Sequence, residues 1–193
     1  MQIRSATEAD LPEILQIYNE VIANSTAIYS EQPVPLEDRV NWFRTRREQQ
    51  YPVLVATDAS GVIGFSSFGD FRAWPCYRFT VEHSVHVRAD QRSRSIGRAL
   101  VEALVPEASV LGKHVLIAGI DASNIASLAL HQRFGFEQVA HFREVGRKFD
   151  RWLDLVFMQR LLDSSTSPQA TERQFGTEDR SRGVEWPPFT APN

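Results

Sequence analysis

The hydrophobic positions of the chain change period several times, and each period predicts one element. Apolar residues three and four positions apart predict helices, whereas alternation or short apolar runs predict strands. In the first half, the helical spacing starts behind the candidate N-caps Thr7 and Asp10, and the turn sequence Asp-Ala-Ser-Gly separates two β-rich runs of a hairpin. The predicted elements of this half are a strand at 2–4, helices at 11–22 and 36–50, and strands at 52–57 and 62–71.

The second half begins with a strand whose alternation is clear. Residues 80–87 place one set of side chains on one face (Val81, His83, Val85 and Val87) and another on the opposite face (Glu82, Ser84 and His86). The next helix, from about Ile96, contains Pro106, which is predicted to kink or end it, and Gly112 suits its stop. The remaining predicted elements are a strand at 114–120 that is apolar enough to be buried on both faces, a helix at 123–136 capped at Ser123 or Asn124 and ended at Gly135, and paired strands at 137–147 and 152–160.

The resulting order is β-α-α-β-β-β-α-β-α-β-β, which predicts an α/β or α+β fold with a mixed sheet and helices on both of its faces. Residues 1–162 are assigned to this one domain. From residue 163 onward Ser, Thr, Pro, Gln and charged residues dominate. Residues 163–193 are therefore predicted to form a polar C-terminal extension that is flexible or loosely docked.

Composition narrows the classes of function. The chain has 193 residues, of which 42% are hydrophobic and 23% charged, and its net charge of -3 argues against broad affinity for nucleic acid. A single cysteine, Cys76, excludes an internal disulfide and a Cys-rich zinc site, which favours a reducing cytoplasm. No apolar run approaches the roughly 18 residues of a membrane span, and the N-terminus has no signal-peptide pattern.

A loop rich in arginine precedes the third predicted helix. Arg92, Arg94 and Arg98 crowd this loop, and Ser95 and Gly97 lie where the helix begins. Unpaired N–H groups and the helix dipole favour an anion at a helix N-terminus, and guanidinium groups supply forked donors. The loop therefore predicts a phosphate site, with a solvated basic turn as the alternative.

Two segments resemble signatures of the GNAT superfamily of N-acetyltransferases. Residues 92–97 resemble its Q/R-x-x-G-x-G/A pyrophosphate loop, with Ser95 in place of the first glycine. Residues 124–136 resemble its N-x-x-A-x-x-L-Y-x-x-x-G-F signature, with His131 in place of the tyrosine. Residues 71–87 and 142–160 are similar to the phosphinothricin acetyltransferase branch, whose members acetylate small amino acids such as phosphinothricin, methionine sulfoximine or methionine sulfone. The likeness covers residues 1–162 and implies a mostly antiparallel twisted sheet with a splayed central pair of strands.

The resemblance implies acetyl-CoA as co-substrate and assigns residues to it. The backbone of Val85, His86 and Val87 is expected to face the pantetheine arm. The amides of that arm would pair with this backbone as an added strand does. Asn124 is expected near the pantetheine or acetyl group, although an N-cap role also explains it, and Arg133 near the phosphates, although it could be a surface residue. The pyrophosphate is expected on the loop of Arg92, Ser93, Arg94, Ser95, Ile96, Gly97 and Arg98.

Two residues are candidates for the chemistry. Glu82 lies in the middle of a strand, and the resemblance implies that it is the general base; a solvent-facing strand residue is the alternative. His131 could protonate the leaving thiolate or be a histidine on the helix surface. His83 and His86 fall on opposite faces of one strand with no third ligand suggested, so we expect no metal site.

The acceptor, a small amine, is expected at the aromatic loop that precedes this strand. Guanidinium groups suit a carboxylate or an oxidised sulfur or phosphorus group. The candidate substrate-binding residues of the loop are Arg72, Trp74, Tyr77 and Arg78. A protein N-terminal or polyamine acetyltransferase is the alternative enzyme, and a non-catalytic acyl-CoA-binding module is the alternative outside enzymes. The resemblance implies a dimer, since proteins of this branch are commonly dimers. The last two strands offer apolar surface for such pairing through their aromatic residues Phe142, Phe149, Trp152 and Phe157, so we expect a homodimer.

Overall fold

The computed structural model describes residues 1–162, so the predicted extension at 163–193 lies outside the described residues. The order of elements within this range is the predicted one. The strands are β1 (Gln2–Ser5), β2 (Val53–Asp58), β3 (Gly61–Asp70), β4 (Thr80–Val87), β5 (Val115–Asp121), β6 (Glu137–Lys148) and β7 (Arg151–Leu161). The helices are α1 (Leu11–Asn24), α2 (Leu36–Glu48), α3 (Ile96–Val110) and α4 (Ile125–Arg133).

The seven strands form one sheet in the order β1-β2-β3-β4-β5-β7-β6. Every pair of neighbouring strands is antiparallel except β4 and β5, which are parallel and paired only from Thr80–Val115 to His83–Ala118. Beyond His83, β4 stays paired with β3 but has no strand partner on its other side within residues 1–162. The two central strands therefore splay apart, as the family resemblance implied.

Helices cover both faces of the sheet, and the alternation along β2 shows how. Val53 and Val55 face a core formed with α1 and α2, whereas Leu54 and Ala56 face a core formed with α3. Both faces are therefore apolar, as expected of a strand in the middle of a layered α/β structure. None of the helices in residues 1–162 has both the length and the apolar character needed to cross a bilayer.

Of the two predicted alternatives at Pro106, a kink or an end of α3, the end is wrong. The helix continues through this residue to Val110, and Gly112 then adopts a positive φ of 66°. Leu104, Val105 and Ala108 are buried on both sides of the proline. Packing of this face against the sheet therefore outweighs the hydrogen bond that proline removes.

A buried lysine ties the tip of the β6–β7 hairpin to the end of α1. Lys148 is 1% exposed, and its Nζ donates to the carbonyl oxygens of Ile22 at 2.6 Å, Ser25 at 2.7 Å and Ile28 at 2.9 Å. Three acceptors require three N–H groups, which only the ammonium form has. The Lys148 ammonium therefore holds the start of the α1–α2 loop against the sheet.

Candidate active site

The splay leaves one edge of β4 available to a ligand. Val85, His86 and Val87 pair with β3 on one side and with no strand of the described residues on the other. The His86 ring is buried against Phe65 and Tyr18, and burial lowers its pKa to about 4. His86 can therefore serve a ligand through its backbone and not through a charged side chain.

The arginine loop has a conformation that explains why glycine is the usual residue at the position of Ser95. Ser93 and Ser95 both have a φ of 61°, in the left-handed region that glycine adopts most readily. Ser95 is the N-cap of α3 and makes no side-chain cap bond, so the N–H groups of the first turn stay open. A Cβ at Gly97 would meet Val87 and Leu130 only at 3.7–3.8 Å, so the protein's own packing does not demand glycine there.

The charges of this loop point outward. Arg92, Arg94 and Arg98 are exposed, and Arg94 donates a hydrogen bond to Gln91. Only Arg98 approaches a carboxylate among the described residues, with 4.0 Å between its Nε and Glu102 Oε2. The loop therefore offers guanidinium groups and open backbone N–H groups to an anion.

The two candidates on α4, Asn124 and Arg133, differ in whether the protein itself uses their side chains. Asn124 Oδ1 accepts from Ser127 N at 3.1 Å, so the N-cap role holds, and its amide NH₂ remains a donor. Arg133 is exposed at the last residue of the helix and forms no ion pair within residues 1–162. Both are placed to donate to a ligand.

Glu82 lies in a trough on the α1/α2 face of the sheet, between two glycines. Gly69 of β3 is its cross-strand partner, and a Cβ on Gly119 of β5 would lie 2.9 Å from Glu82 Oε1. A cavity of about 240 Å³ opens beside the carboxylate. Burial raises the pKa of the Glu82 carboxyl above its usual value, and the Arg72 guanidinium opposes that rise. The carboxylate is half-buried rather than solvent-facing, an environment that favours uptake of a proton.

The aromatic loop borders the same trough. Arg72 stacks on Phe71 with 4.1 Å from Cζ to the ring centroid, and Phe71 in turn contacts Phe157. Trp74 and Tyr77 are 60% and 41% exposed and lie against each other. Arg78 is turned away toward Phe79 and the carbonyl oxygen of Pro75. Arg72 Nη1 likewise donates to the carbonyl oxygen of Phe71 at 2.8 Å, so both predicted arginines contact their own loop, and Arg72 is the one that also acts electrostatically on Glu82.

His131 is not a surface histidine, because only 5% of it is exposed. Its Nδ1–H donates to the carbonyl oxygen of Ser127 at 2.7 Å, and its ring packs against His83 and Phe136. Nε2 is buried without a hydrogen-bond partner among the described residues, as are both ring nitrogens of His83. Burial lowers the pKa of His131. The ring is therefore neutral at rest, with Nε2 as a hydrogen-bond acceptor.

Sequence reasoning missed one wall of the trough, which comes from α2. Trp42 and Arg46, four residues apart on one face of the helix, line the cavity together with Gly69 and Glu82. A helix rich in arginine usually has a solvated face, and the residue types around Arg46 do not distinguish it from Arg44 or Arg47. The spacing of Trp42 and Arg46 was the only available signal. Within residues 1–162 no three His, Cys, Asp or Glu side chains are placed to hold a metal ion.

Comparisons with known proteins agree with this geometry. Residues 3–157 match the family model of the acetyltransferase (GNAT) domain. The chain is 52% identical over 166 residues to an L-methionine sulfoximine/L-methionine sulfone acetyltransferase of Pseudomonas aeruginosa, which covers 86% of this chain and 96% of that protein. It is 46% identical over 170 residues to the L-amino acid N-acyltransferase MnaT of Escherichia coli, which covers 88% of this chain and 99% of that protein.

One similar solved structure contains acetyl-CoA. The GNAT superfamily phosphinothricin acetyltransferase of Sinorhizobium meliloti, solved in complex with acetyl-CoA, superposes with a TM-score of 0.85 at 38% identity and covers 88% of this chain and 94% of that one. In this chain, the splayed strand pair leaves backbone groups open to a ligand, and the open helix terminus and the arginine loop offer donors to an anion. The chain therefore belongs to the GNAT superfamily and is an N-acetyltransferase that resembles the amino-acid acetyltransferases of the phosphinothricin branch.

Proposed function

We propose that this enzyme transfers the acetyl group of acetyl-CoA directly to the amino group of a small amino acid or analogue of the phosphinothricin, methionine sulfoximine or methionine sulfone type, with Glu82 as general base. The observation that carries the proposal is the half-buried Glu82 carboxylate beside the open edge of β4. The names of the relatives support the class of acceptor. The scheme uses no metal ion.

The reaction needs one proton removed and one supplied. Glu82 takes a proton from the acceptor's ammonium group, directly or through a water, and the free amine attacks the thioester carbonyl carbon. The C–N bond forms, the C–S bond breaks, and the nitrogen's remaining extra proton leaves as the thiolate departs. Coenzyme A is released as the thiol once the sulfur has been protonated.

His131 is the proposed carrier of the proton for the sulfur. Because Nδ1–H is held by the carbonyl oxygen of Ser127, Nε2 begins as a base. It therefore has to take a proton from the tetrahedral intermediate before it gives one to the thiolate. A thiol pKa of about 8.5 makes the thiolate an acceptable leaving group, so we assign His131 a smaller share of the rate than Glu82.

Acetyl-CoA is assigned to the β4 edge and the arginine loop. We expect Arg92→Ala and Arg98→Ala each to weaken acetyl-CoA binding by about tenfold, since each removes roughly 1.4 kcal/mol of charge-assisted contact to phosphate. The affinity of the wild type should also fall as salt is added. Isothermal titration measures both effects, with Arg44→Ala on the exposed side of α2 as control. Wild-type affinity in both loop variants would mean that the loop is a solvated turn.

The acceptor class is tested by measuring thiol release from acetyl-CoA with a panel of amines. We expect turnover with L-methionine sulfone, L-methionine sulfoximine and phosphinothricin, and much less with spermidine or with a peptide N-terminus. A polyamine would need several carboxylates near the acceptor loop, and residues 71–79 contain none. Binding of acetyl-CoA without turnover of any amine would favour the acyl-CoA-binding module instead.

The enzyme is also proposed to be a homodimer through the β6–β7 hairpin. Apolar side chains there are about half exposed or more: Phe142 46%, Val145 54%, Phe149 53% and Trp152 60%. Phe157, by contrast, is half-buried against Phe71 and Phe142. We expect light scattering at micromolar concentration to give twice the 21.9 kDa chain mass, and Trp152→Lys to shift it toward one chain. A wild-type mass of 21.9 kDa would contradict the dimer.

The proposed compartment is the cytoplasm. Cys76 is exposed and free, which suits a reducing environment.

A further inference from the structure

Arg46 is a half-buried cation whose donors are largely unused by the protein. Its Nη1 donates to Gln49 Oε1 at 3.0 Å, and its Nε is buried with no hydrogen-bond partner within residues 1–162. No carboxylate lies within 4.0 Å of it among the described residues. Buried donors are normally satisfied, so an unused guanidinium edge in a cavity indicates a ligand group.

The nearest acidic neighbour does not use these donors. Asp70 attracts Arg46 electrostatically, but one of its oxygens accepts from Tyr51 and the other from Gln49 at 3.0 Å. Asp70 also lines the cavity, but both oxygens of its carboxylate are already engaged by other donors. The open edge of Arg46 is left for an anion that enters the cavity.

The guanidinium lies where it would meet a substrate of Glu82. Gly69 and Glu82 are direct cross-strand partners on the same face, so their Cβ positions are about 4.5–5.5 Å apart. The place of a Cβ on Gly69 is occupied by Arg46, with 2.6 Å from that position to Arg46 Cζ. Arg46 thus stands in for the missing side chain opposite the base, and both line the same cavity of about 240 Å³.

An α-amino acid fits this pair of groups. Its amino nitrogen and its carboxylate are attached to one carbon, so a base that receives the amine's proton must have the carboxylate's cation close by. A guanidinium group binds a carboxylate through two parallel N–H···O bonds. Resting on the proposed function, we propose that Arg46 binds the α-carboxylate of the acceptor and thereby makes the enzyme select amino acids over simple amines. Arg72, whose guanidinium acts electrostatically on Glu82, is then left for the oxidised end of the side chain.

The test compares two acceptors that differ only at the carboxyl group, L-methionine sulfone and its α-amide. Arg46→Gln should lower kcat/KM for the amino acid by about 10- to 100-fold, the equivalent of one charge-assisted bidentate contact. It should change kcat/KM for the amide by less than threefold. Arg44→Gln, on the exposed side of the same helix, should leave both values at the wild-type level.

A second variant keeps the charge and moves it. Gly69→Ala places a methyl group where the guanidinium lies, and the far end of an arginine side chain can shift without unfolding the protein. It should also lower kcat/KM for the amino acid selectively. If Arg46→Gln proves unstable by thermal melting, Gly69→Ala carries the test.

The outcomes separate the two proposals. A selective loss for the amino acid in either variant supports the carboxylate site. Equal losses for both acceptors, or a wild type that acetylates the amide as efficiently as the amino acid, would overturn the role of Arg46 and leave the acetyltransferase function standing. A wild type that acetylates neither acceptor would overturn the proposed acceptor class and the carboxylate site with it.

Discussion

Replacing Glu82 by glutamine should lower kcat by about 10²–10⁴-fold, the usual contribution of a general base, or roughly 3–5 kcal/mol of barrier. Glutamine keeps the shape of the side chain and can still form hydrogen bonds in the trough. It cannot accept the proton of the acceptor's ammonium group. Steady-state kinetics with L-methionine sulfone as acceptor would measure the loss.

The pH profile identifies the loss as that of a base. Glu82 works only when ionised, and burial raises its pKa, so the acidic limb of kcat/KM should lie above the range of an ordinary glutamate. The Glu82→Gln variant should lack this limb. Its deficit should shrink as pH rises, because more of the acceptor then arrives as free amine.

Binding of acetyl-CoA provides the control within the same protein. The proposed acetyl-CoA site consists of the open backbone edge of residues 85–87 and the arginine loop, so the affinity for acetyl-CoA should stay near the wild-type value in Glu82→Gln. Glu137→Gln, at an exposed position on β6, should retain full activity. If Glu82→Gln kept near-wild-type turnover at every pH, the carboxylate would be only a lining residue. A large loss of acetyl-CoA binding would instead indicate a structural role.

The architecture could be predicted from the sequence because its signals are local and redundant. The turn at 58–61 marks a hairpin, and the glycines at 112 and 135 end helices at positive φ, where glycine is favoured. Pro106 shows the limit of such signals. A proline reads as a helix end, and only the buried residues on both sides of it explain why α3 continues.

The candidate site residues also differ in whether a local sequence pattern indicates them. The arginine loop and Glu82 could be proposed from the sequence because each lies in a recognisable local pattern. Arg46 could not, since its role depends on α2 crossing over Gly69, and that contact joins residues far apart in sequence. The burial of His131 could not be predicted either. A single histidine on a short helix gives the same sequence pattern whether it faces solvent or the core.

The largest effect on stability is expected at Lys148. Lys148→Met keeps the length of the side chain but removes three hydrogen bonds to carbonyl oxygens, of which that of Ile22 is buried. An acceptor left unsatisfied costs about 1–3 kcal/mol when it is buried and less where water can reach it. We expect the free energy of unfolding to fall by about 2–5 kcal/mol.

Loss of the Lys148 hydrogen bonds should also weaken a second contact made by the same loop. The loop that it holds also contains Tyr29, whose hydroxyl donates to the carbonyl oxygen of Asp154 at 3.1 Å and whose ring covers Gly146. Once Lys148 no longer fixes the carbonyl oxygens of Ser25 and Ile28, this second contact loses its support. The α1–α2 loop should therefore detach before the rest of the domain unfolds.

Urea denaturation measures the change in free energy, and hydrogen exchange of the amides in residues 25–31 reports on the loop. Arg147→Met is the matched control, because Arg147 is the neighbouring residue and its contacts are exposed: a pair with Asp150, worth about 0–1 kcal/mol, and the Trp152 ring, whose centroid lies 6.0 Å from Arg147 Cζ. A Lys148→Met protein as stable as the Arg147→Met protein would contradict the prediction. It would mean that relief from burying a charge offsets the three lost hydrogen bonds, since burial lowers the pKa of Lys148 and thus opposes its ionised form.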